Sequence, residues 1–348
     1  LNAYERVFEA LNLGEPDRVP LWIIGGPYMA KLSGYKYDEF CRDPEKIASA
    51  NKNFMEKYDT DISYIFTDTW YTHEGWGMKL RWSSSSPPVP TSSLIKEAED
   101  YEKLWVLDPY KDGRMPVMIK AIELLSKQVG QERVVAALQF SPLSFLAHVR
   151  GFVRSMIDLL LYPELVHKGL DIITQTVIEF LRASAEAGVD LILYHNARED
   201  YSLLTKKHVE EFGIKYDRRV LNELKRLGVP VVLHMCGPEP MIDLVISEYP
   251  GRSFLGVQFW DRGANISLRK AKELFGDKIC LIAGFDNVRT MTFGKPEDVY
   301  NEAKEALETA KPNGGFILSS GCEISRDAPE ENLYALTKAI RDFGYYQK

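Results

Sequence analysis

Eight short apolar runs, each parted from the next by a helical pattern, constrain this 348-residue chain more than any other feature. The runs cover 18–24, 61–66, 134–140, 190–194, 229–237, 253–259, 278–283 and 315–320. They are rich in Val, Ile and Leu, and too short for helices. Helical periodicity covers 3–12, 44–58, 115–129, 144–161, 163–187, 205–227, 239–248, 267–275, 296–310 and 329–343. Gly188 and Gly228 stop two of these helices. Alternation of this kind predicts βαβ units and a parallel sheet, hence an α/β fold. Eight repeats without a Gly-rich dinucleotide loop favour a (β/α)8 TIM barrel over an open doubly wound sheet. The chain reads as one barrel domain over 1–348, with an N-terminal helix and a hairpin or loop excursion around 71–92. Residues 25–27, Gly-Gly-Pro, read as a loop.

In such barrels the chemistry sits at the C-terminal strand ends. Those ends carry Asp68, Gln139, His195, Cys236, Gln258, Asp286 and Cys322. The fifth run ends in His234-Met235-Cys236, and side chains alternate along a strand, so His234 and Cys236 share a side. The eighth run leads into Cys322. Together these three predict a zinc site with one open position, the pattern of catalytic zinc, whereas structural zinc is usually closed by four ligands. Cysteine at a strand end is also common in plain cores, so His-x-Cys alone decides little. Asp68, His195 and Glu323 are candidates for general acid or base work, and Cys41 and Cys280 read as structural. Trp70, Tyr71, Trp76, Phe145, Tyr194, Phe259 and Trp260 lie near the expected mouth. With Gln139, Gln258 and Asp286 they suggest an apolar substrate pocket, although the same aromatics could simply pack a barrel rim.

The net charge of −7 and the lack of a basic, aromatic-interleaved stretch argue against a nucleic-acid partner. No apolar run reaches about 18 residues, so no membrane span is expected. The first residues read as a charged helix and not a signal peptide, and four Cys without a secretory signal suggest free thiols in the cytoplasm. A homodimer is compatible with all of this.

Several motifs together resemble the uroporphyrinogen decarboxylase superfamily over nearly the whole length. They are Arg18-Val-Pro-Leu-Trp22, Phe66-Thr-Asp68 followed by Glu74-Gly-Trp-Gly-Met78, and Ala187-Gly-Val-Asp190. Gly228-Val-Pro230 with His234-Met-Cys-Gly237, and Gly315 to Cys322 with Pro329-Glu-Glu-Asn332, are the most specific. The resemblance implies the same barrel. The decarboxylases carry an arginine-rich loop after the first strand that grips substrate carboxylates; here 25–30 reads Gly-Gly-Pro-Tyr-Met-Ala. Asp68 matches their catalytic aspartate, but Cys322 stands where they have histidine.

His-x-Cys with a distant Cys resembles the zinc methyltransferase branch instead. That branch moves a methyl group between a corrinoid protein and a small substrate. The resemblance therefore implies zinc on His234, Cys236 and Cys322, and methylcobalamin or cob(I)alamin carried by a partner protein, since the chain has no Asp-x-His-x-x-Gly motif. Two directions are chemically sensible: methylation of a thiol, or demethylation of a methoxylated compound within a multi-component O-demethylase system, the second slightly preferred for the aromatics. The rivals are true decarboxylation and a non-catalytic, zinc-stabilised ligand-binding barrel.

Overall fold

The computed structural model describes residues 1–249 and 251–347. Its strands, in chain order, are β1 (Leu21–Trp22), β2 (Leu80–Arg81), β3 (Val89–Pro90), β4 (Ala136–Phe140), β5 (Leu191–His195), β6 (Val231–Met235), β7 (Gly256–Phe259), β8 (Cys280–Phe285) and β9 (Phe316–Ser320). Seven pair in one parallel sheet, ordered β1-β9-β8-β7-β6-β5-β4, with helices between successive strands. β2 and β3 form a separate antiparallel hairpin within the excursion.

The curled sheet leaves one place between β4 and β1, and residues 61–66 occupy it. This run does not form the ladder strand expected of it. Isolated bridges join Ile62 to Val134 and Ile65 to Ala137 on one side. On the other side, Asp61 N–H donates to the Leu21 carbonyl at 2.9 Å, and Trp22 Nε1 donates to the Ser63 carbonyl at 3.1 Å. The ladder fails here because the Asp61 carboxylate, not a backbone carbonyl, takes the Leu21 N–H at 2.7 Å. Pro20 has no N–H to offer. The same carboxylate is wholly buried and accepts from Arg6 Nη1 at 2.7 Å and Arg18 Nη1 at 2.8 Å. A hydrogen-bonded ion cluster thus closes the barrel at its N-terminal end. The architecture is the (β/α)8 barrel with a weakly laddered second position.

Register decides which side chains face inward. Gln258 on β7 reaches past β8 to Ser319 on β9, its Nε2 donating to Oγ at 2.9 Å. It therefore points into the barrel. In-register neighbours on parallel strands share a side, and His195 pairs with His234, which pairs with Gln258. All three face the interior. Gln139 pairs with Tyr194, which pairs with Leu233, and this set faces the helices.

The expected helix over 144–161 is two helices, Pro142–Arg150 and Phe152–Leu161, parted at Gly151. Its φ of 88° interrupts the helical path, a conformation glycine adopts without penalty. The expected loop at 25–27 instead opens the helix Gly26–Leu32, with Pro27 in its first turn. Among the described residues no helix is long and apolar enough to cross a membrane.

Candidate metal centre

β6 and β9 carry the three expected ligands at the same end of the barrel. His234 is the fourth residue of β6, while Cys236 and Cys322 lie just beyond the ends of β6 and β9. Two glycines make the approach feasible. A Cβ on Gly237 would stand 2.0 Å from Asp200 Oδ2, and one on Gly321 would stand 2.5 Å from Trp260 Cα. The loops carrying the thiols therefore lie tight against the neighbouring loops.

Gln258 sets the state of His234. Its Nε2 donates to Ser319 Oγ and to the Ser320 carbonyl at 3.1 Å, and a carbonyl can only accept. The other end of the amide, Oε1, therefore accepts from His234 Nδ1 at 2.6 Å. That places the proton of a neutral imidazole on Nδ1 and leaves the Nε2 lone pair free for a metal.

The Cys322 thiol lies close enough to Cys236 and His234 for both to act on it. Its contact with Cys236, aided by burial, pushes its pKa well up, while the same contact lowers that of Cys236. Burial alone would lower the His234 imidazole, but the contact and charge of Cys322 raise it. A pair of thiols competing for one proton beside an imidazole is a donor set that a soft divalent cation would satisfy. His195 joins the cluster. Its Nε2 is 4.0 Å from Cys236 Sγ, and ligand atoms of His195, His234 and Cys236 all lie within 4.8 Å of one another. Its Nδ1 is buried without a partner.

Glu323 follows Cys322 and accepts from Gly26 N–H at 3.1 Å. Burial pushes its carboxyl up to about 7, against the opposing effects of that hydrogen bond and of His234. Asp68 stands differently. Arg114 grips both its oxygens, at 2.8 and 2.9 Å, and Thr67 Oγ1 and Trp70 N–H add two more hydrogen bonds. A carboxylate so fully engaged is braced in place.

The expected pocket residues divide along the strand alternation. Tyr194 faces outward and donates to Asp217 at 2.5 Å. Gln139 also faces outward, accepting from Tyr71 OH at 3.2 Å, and Tyr71 packs on Phe180 of the helix Pro163–Glu186. These three stand outside the barrel and not in its mouth, since neighbours on a strand cannot both face inward. Asp286 braces the turn after β8, accepting from the Val288 and Arg289 N–H groups at 2.9 and 2.6 Å. Gln258 is in the site, as the partner of His234. Trp70 belongs to a wall at the mouth, where its ring lies 5.6 Å from His148, His148 lies 4.8 Å from Phe140, and Phe140 lies 4.6 Å from His195.

Sequence reasoning missed His73, His148 and Arg198. His73 stacks on Phe145 at 4.7 Å, and both its nitrogens are buried without partners. Burial lowers its pKa to about 3, so this wall is neutral. No spacing in the sequence marks these residues; only tertiary packing brings the excursion and the helix Pro142–Arg150 over β5.

Comparisons with known proteins agree with this architecture. The methylcobamide:CoM methyltransferase MtbA of Methanosarcina acetivorans is 25% identical over 346 residues, covering 98% of each chain. A uroporphyrinogen decarboxylase of Carboxydothermus hydrogenoformans is 22% identical over 335 residues, covering 93% of this chain and 92% of its own. The solved structure of a methyltransferase from Methanosarcina mazei superposes with a TM-score of 0.85 at 23% identity, covering 99% of both chains, which bears on the fold. The family model described as uroporphyrinogen decarboxylase (URO-D) matches residues 2–343. With that match across a curled parallel sheet of the barrel type, the chain belongs to the uroporphyrinogen decarboxylase family.

Proposed function

We propose that this chain is a zinc-dependent methyltransferase of the corrinoid type, moving a methyl group between the cobalamin of a separate protein and a small thiol. The observation that carries the reading is the meeting of His234, Cys236 and Cys322, with Gln258 holding His234 in the tautomer a metal requires. The donor set suits zinc, and His234 Nε2 with the two sulfurs would hold it. When bound, zinc lowers the pKa of a substrate thiol and keeps its sulfur nucleophilic.

The chain's own residues do the rest. His195, its Nε2 4.0 Å from Cys236 Sγ, orients the incoming thiol. Phe140, Phe145 and the neutral His73 and His148 form an apolar wall that keeps water from the reacting sulfur. The partner protein's corrinoid would supply the methyl group to the substrate sulfur and would keep the electron pair of the bond it gives up.

The choice of a thiol follows the relatives from Methanosarcina, which are named methylcobamide:CoM methyltransferases. The aromatic wall favours a second reading, demethylation of a methoxylated arene toward the corrinoid. Decarboxylation of a polycarboxylate is disfavoured. The helix after β1 offers Lys31 alone, and that side chain is taken up by Arg326 O and Asp327.

Metal analysis of purified protein, followed by incubation with methylcobalamin and a thiol, tests the reading. Stoichiometric zinc and thiol-dependent loss of methylcobalamin absorbance are expected. Protein that is metal-free after zinc reconstitution, or that forms coproporphyrinogen from uroporphyrinogen, overturns it.

A further inference from the structure

The helix Phe152–Leu161 faces the wrong way for a monomer. Its buried face carries Ser155, Asp158 and Leu159. Asp158 fixes that orientation, its carboxylate accepting from Arg150 Nε at 2.6 Å and from Tyr101 OH at 3.0 Å. Val153, Ile157, Leu160 and Leu161 fall at i, i+4, i+7 and i+8, which is one face of a helix. That face is turned to solvent, with Val153 68%, Ile157 47%, and Leu160 and Leu161 each 64% exposed. A helix on a monomer's surface presents the reverse pattern. The helix Met115–Val129 does so, burying Met118, Ile122 and Leu125. Rotation cannot correct the helix Phe152–Leu161, because turning its leucines inward would pull Asp158 off Arg150.

The face is also extensive. Single exposed apolar side chains need no account, but the segment 152–162 holds six of the eighteen large ones exposed among the described residues. At their exposures the six leave on the order of 600 Å² uncovered, the upper end for the largest apolar patch of a monomer. Two such faces laid together would bury about 1,200 Å², which reaches the lower bound of stable interfaces.

The two ends of the face carry opposite charge. Arg154 lies in the first turn and Glu164 just past the last, and both are exposed. Neither forms an ion pair among the described residues, and the i+4 neighbour of each is taken, Asp158 by Arg150 and Lys168 by Glu102. A two-fold axis through the middle of the face would run a second copy of the helix antiparallel, so that the arginine end of each copy meets the glutamate end of the other.

We propose that this face is the two-fold interface of a homodimer, in which the helix Phe152–Leu161 packs antiparallel on the same helix of a second copy and Arg154 pairs with Glu164 across it. The apolar centre supplies the affinity, and the charged ends set the direction of packing.

Sedimentation velocity on the full chain, from about 1 to about 100 μM, tests it. A species of twice the monomer mass is expected within that range. Leu160→Glu should raise the dissociation constant at least about tenfold, with circular dichroism and zinc content retained. Arg154→Glu should weaken the dimer roughly threefold or more, and adding Glu164→Arg should restore it. A monomer throughout the range, with the face left for an unlike protein, overturns the proposal. A dimer that Leu160→Glu leaves intact places the interface elsewhere and overturns it as well. A dimer that Leu160→Glu breaks but the charge exchange does not restore overturns the antiparallel pairing. Should Leu160→Glu fail to fold, Arg154→Glu and the exchange, both at exposed positions, still decide.

Discussion

His234 shows how far a single residue's chemistry depends on its neighbour. The proton on Nδ1 is fixed by Gln258, whose own orientation is fixed by the Ser320 carbonyl. Gln258→Leu should therefore keep the barrel, yet lower zinc affinity by roughly 10- to 100-fold, the usual cost of losing a ligand's hydrogen-bond partner. Competition with a chromogenic chelator measures it, and unchanged affinity would remove Gln258 from the argument. Cys322→Ser should lower zinc content and abolish methyl transfer while circular dichroism stays unchanged, because a serine hydroxyl is a poor zinc ligand beside a thiolate. Full zinc with full activity would take Cys322 out of the site, and loss of fold would make the zinc structural. The pairing of His234 with Cys236 was legible from alternation along one strand. The identity of Gln258 as the partner of His234 was not, because it needed the lateral register of two strands.

At the scale of elements, the loop after β5 is the most revealing. Its Glu199 lies against Asp217, and Tyr249 OH contacts both, at 2.9 and 3.0 Å. One phenolic proton cannot serve two carboxylates, so one carboxyl keeps its own. Burial, then the neighbouring charge of Asp217, pushes Glu199 well above the usual carboxylate range, and burial raises Asp217 as well. The folded protein thus holds a proton that the unfolded chain releases above about pH 4.5. Since stability changes with the difference in bound protons, this pair contributes most below that pH and loses its contribution as pH rises toward the folded pKa. Glu199→Gln should flatten the decline. Urea midpoints at pH 5 and pH 8 should differ less in the variant than in the unaltered protein; equal slopes would show that the pair does not hold the proton. Tyr194 belongs to the same network, and that explains its absence from the mouth. Adjacent strand residues face opposite sides, so Tyr194 and His195 could never both have lined the pocket. The choice between them lay in the register with β6.

For the whole molecule, closure of the barrel rests on Asp61. Asp61→Asn removes the charge that Arg6 and Arg18 share at the N-terminal end, and leaves two enclosed guanidiniums less well compensated. A loss of about 3–5 kcal/mol is expected, the range for breaking a buried ion cluster from one side. Equilibrium guanidinium denaturation reads it, and a loss under about 1 kcal/mol would mean the cluster is dispensable. Strand count, helix order and the strand ends that could carry chemistry were written in the sequence, because periodicity and alternation are local properties of the chain. The two-residue β1 and the unladdered run at 61–66 were not, because a side-chain carboxylate replaced a backbone acceptor there. Nor could the sequence separate a braced Asp68 from a free one, since Arg114 lies 46 residues away. The same holds for Arg198: beside Glu199 and Asp200 in sequence it looks paired, and only the fold turns both acids away from it. Local patterning therefore determined the barrel and its metal-capable ends. Which charges are satisfied was decided by contacts between distant segments that only tertiary packing creates.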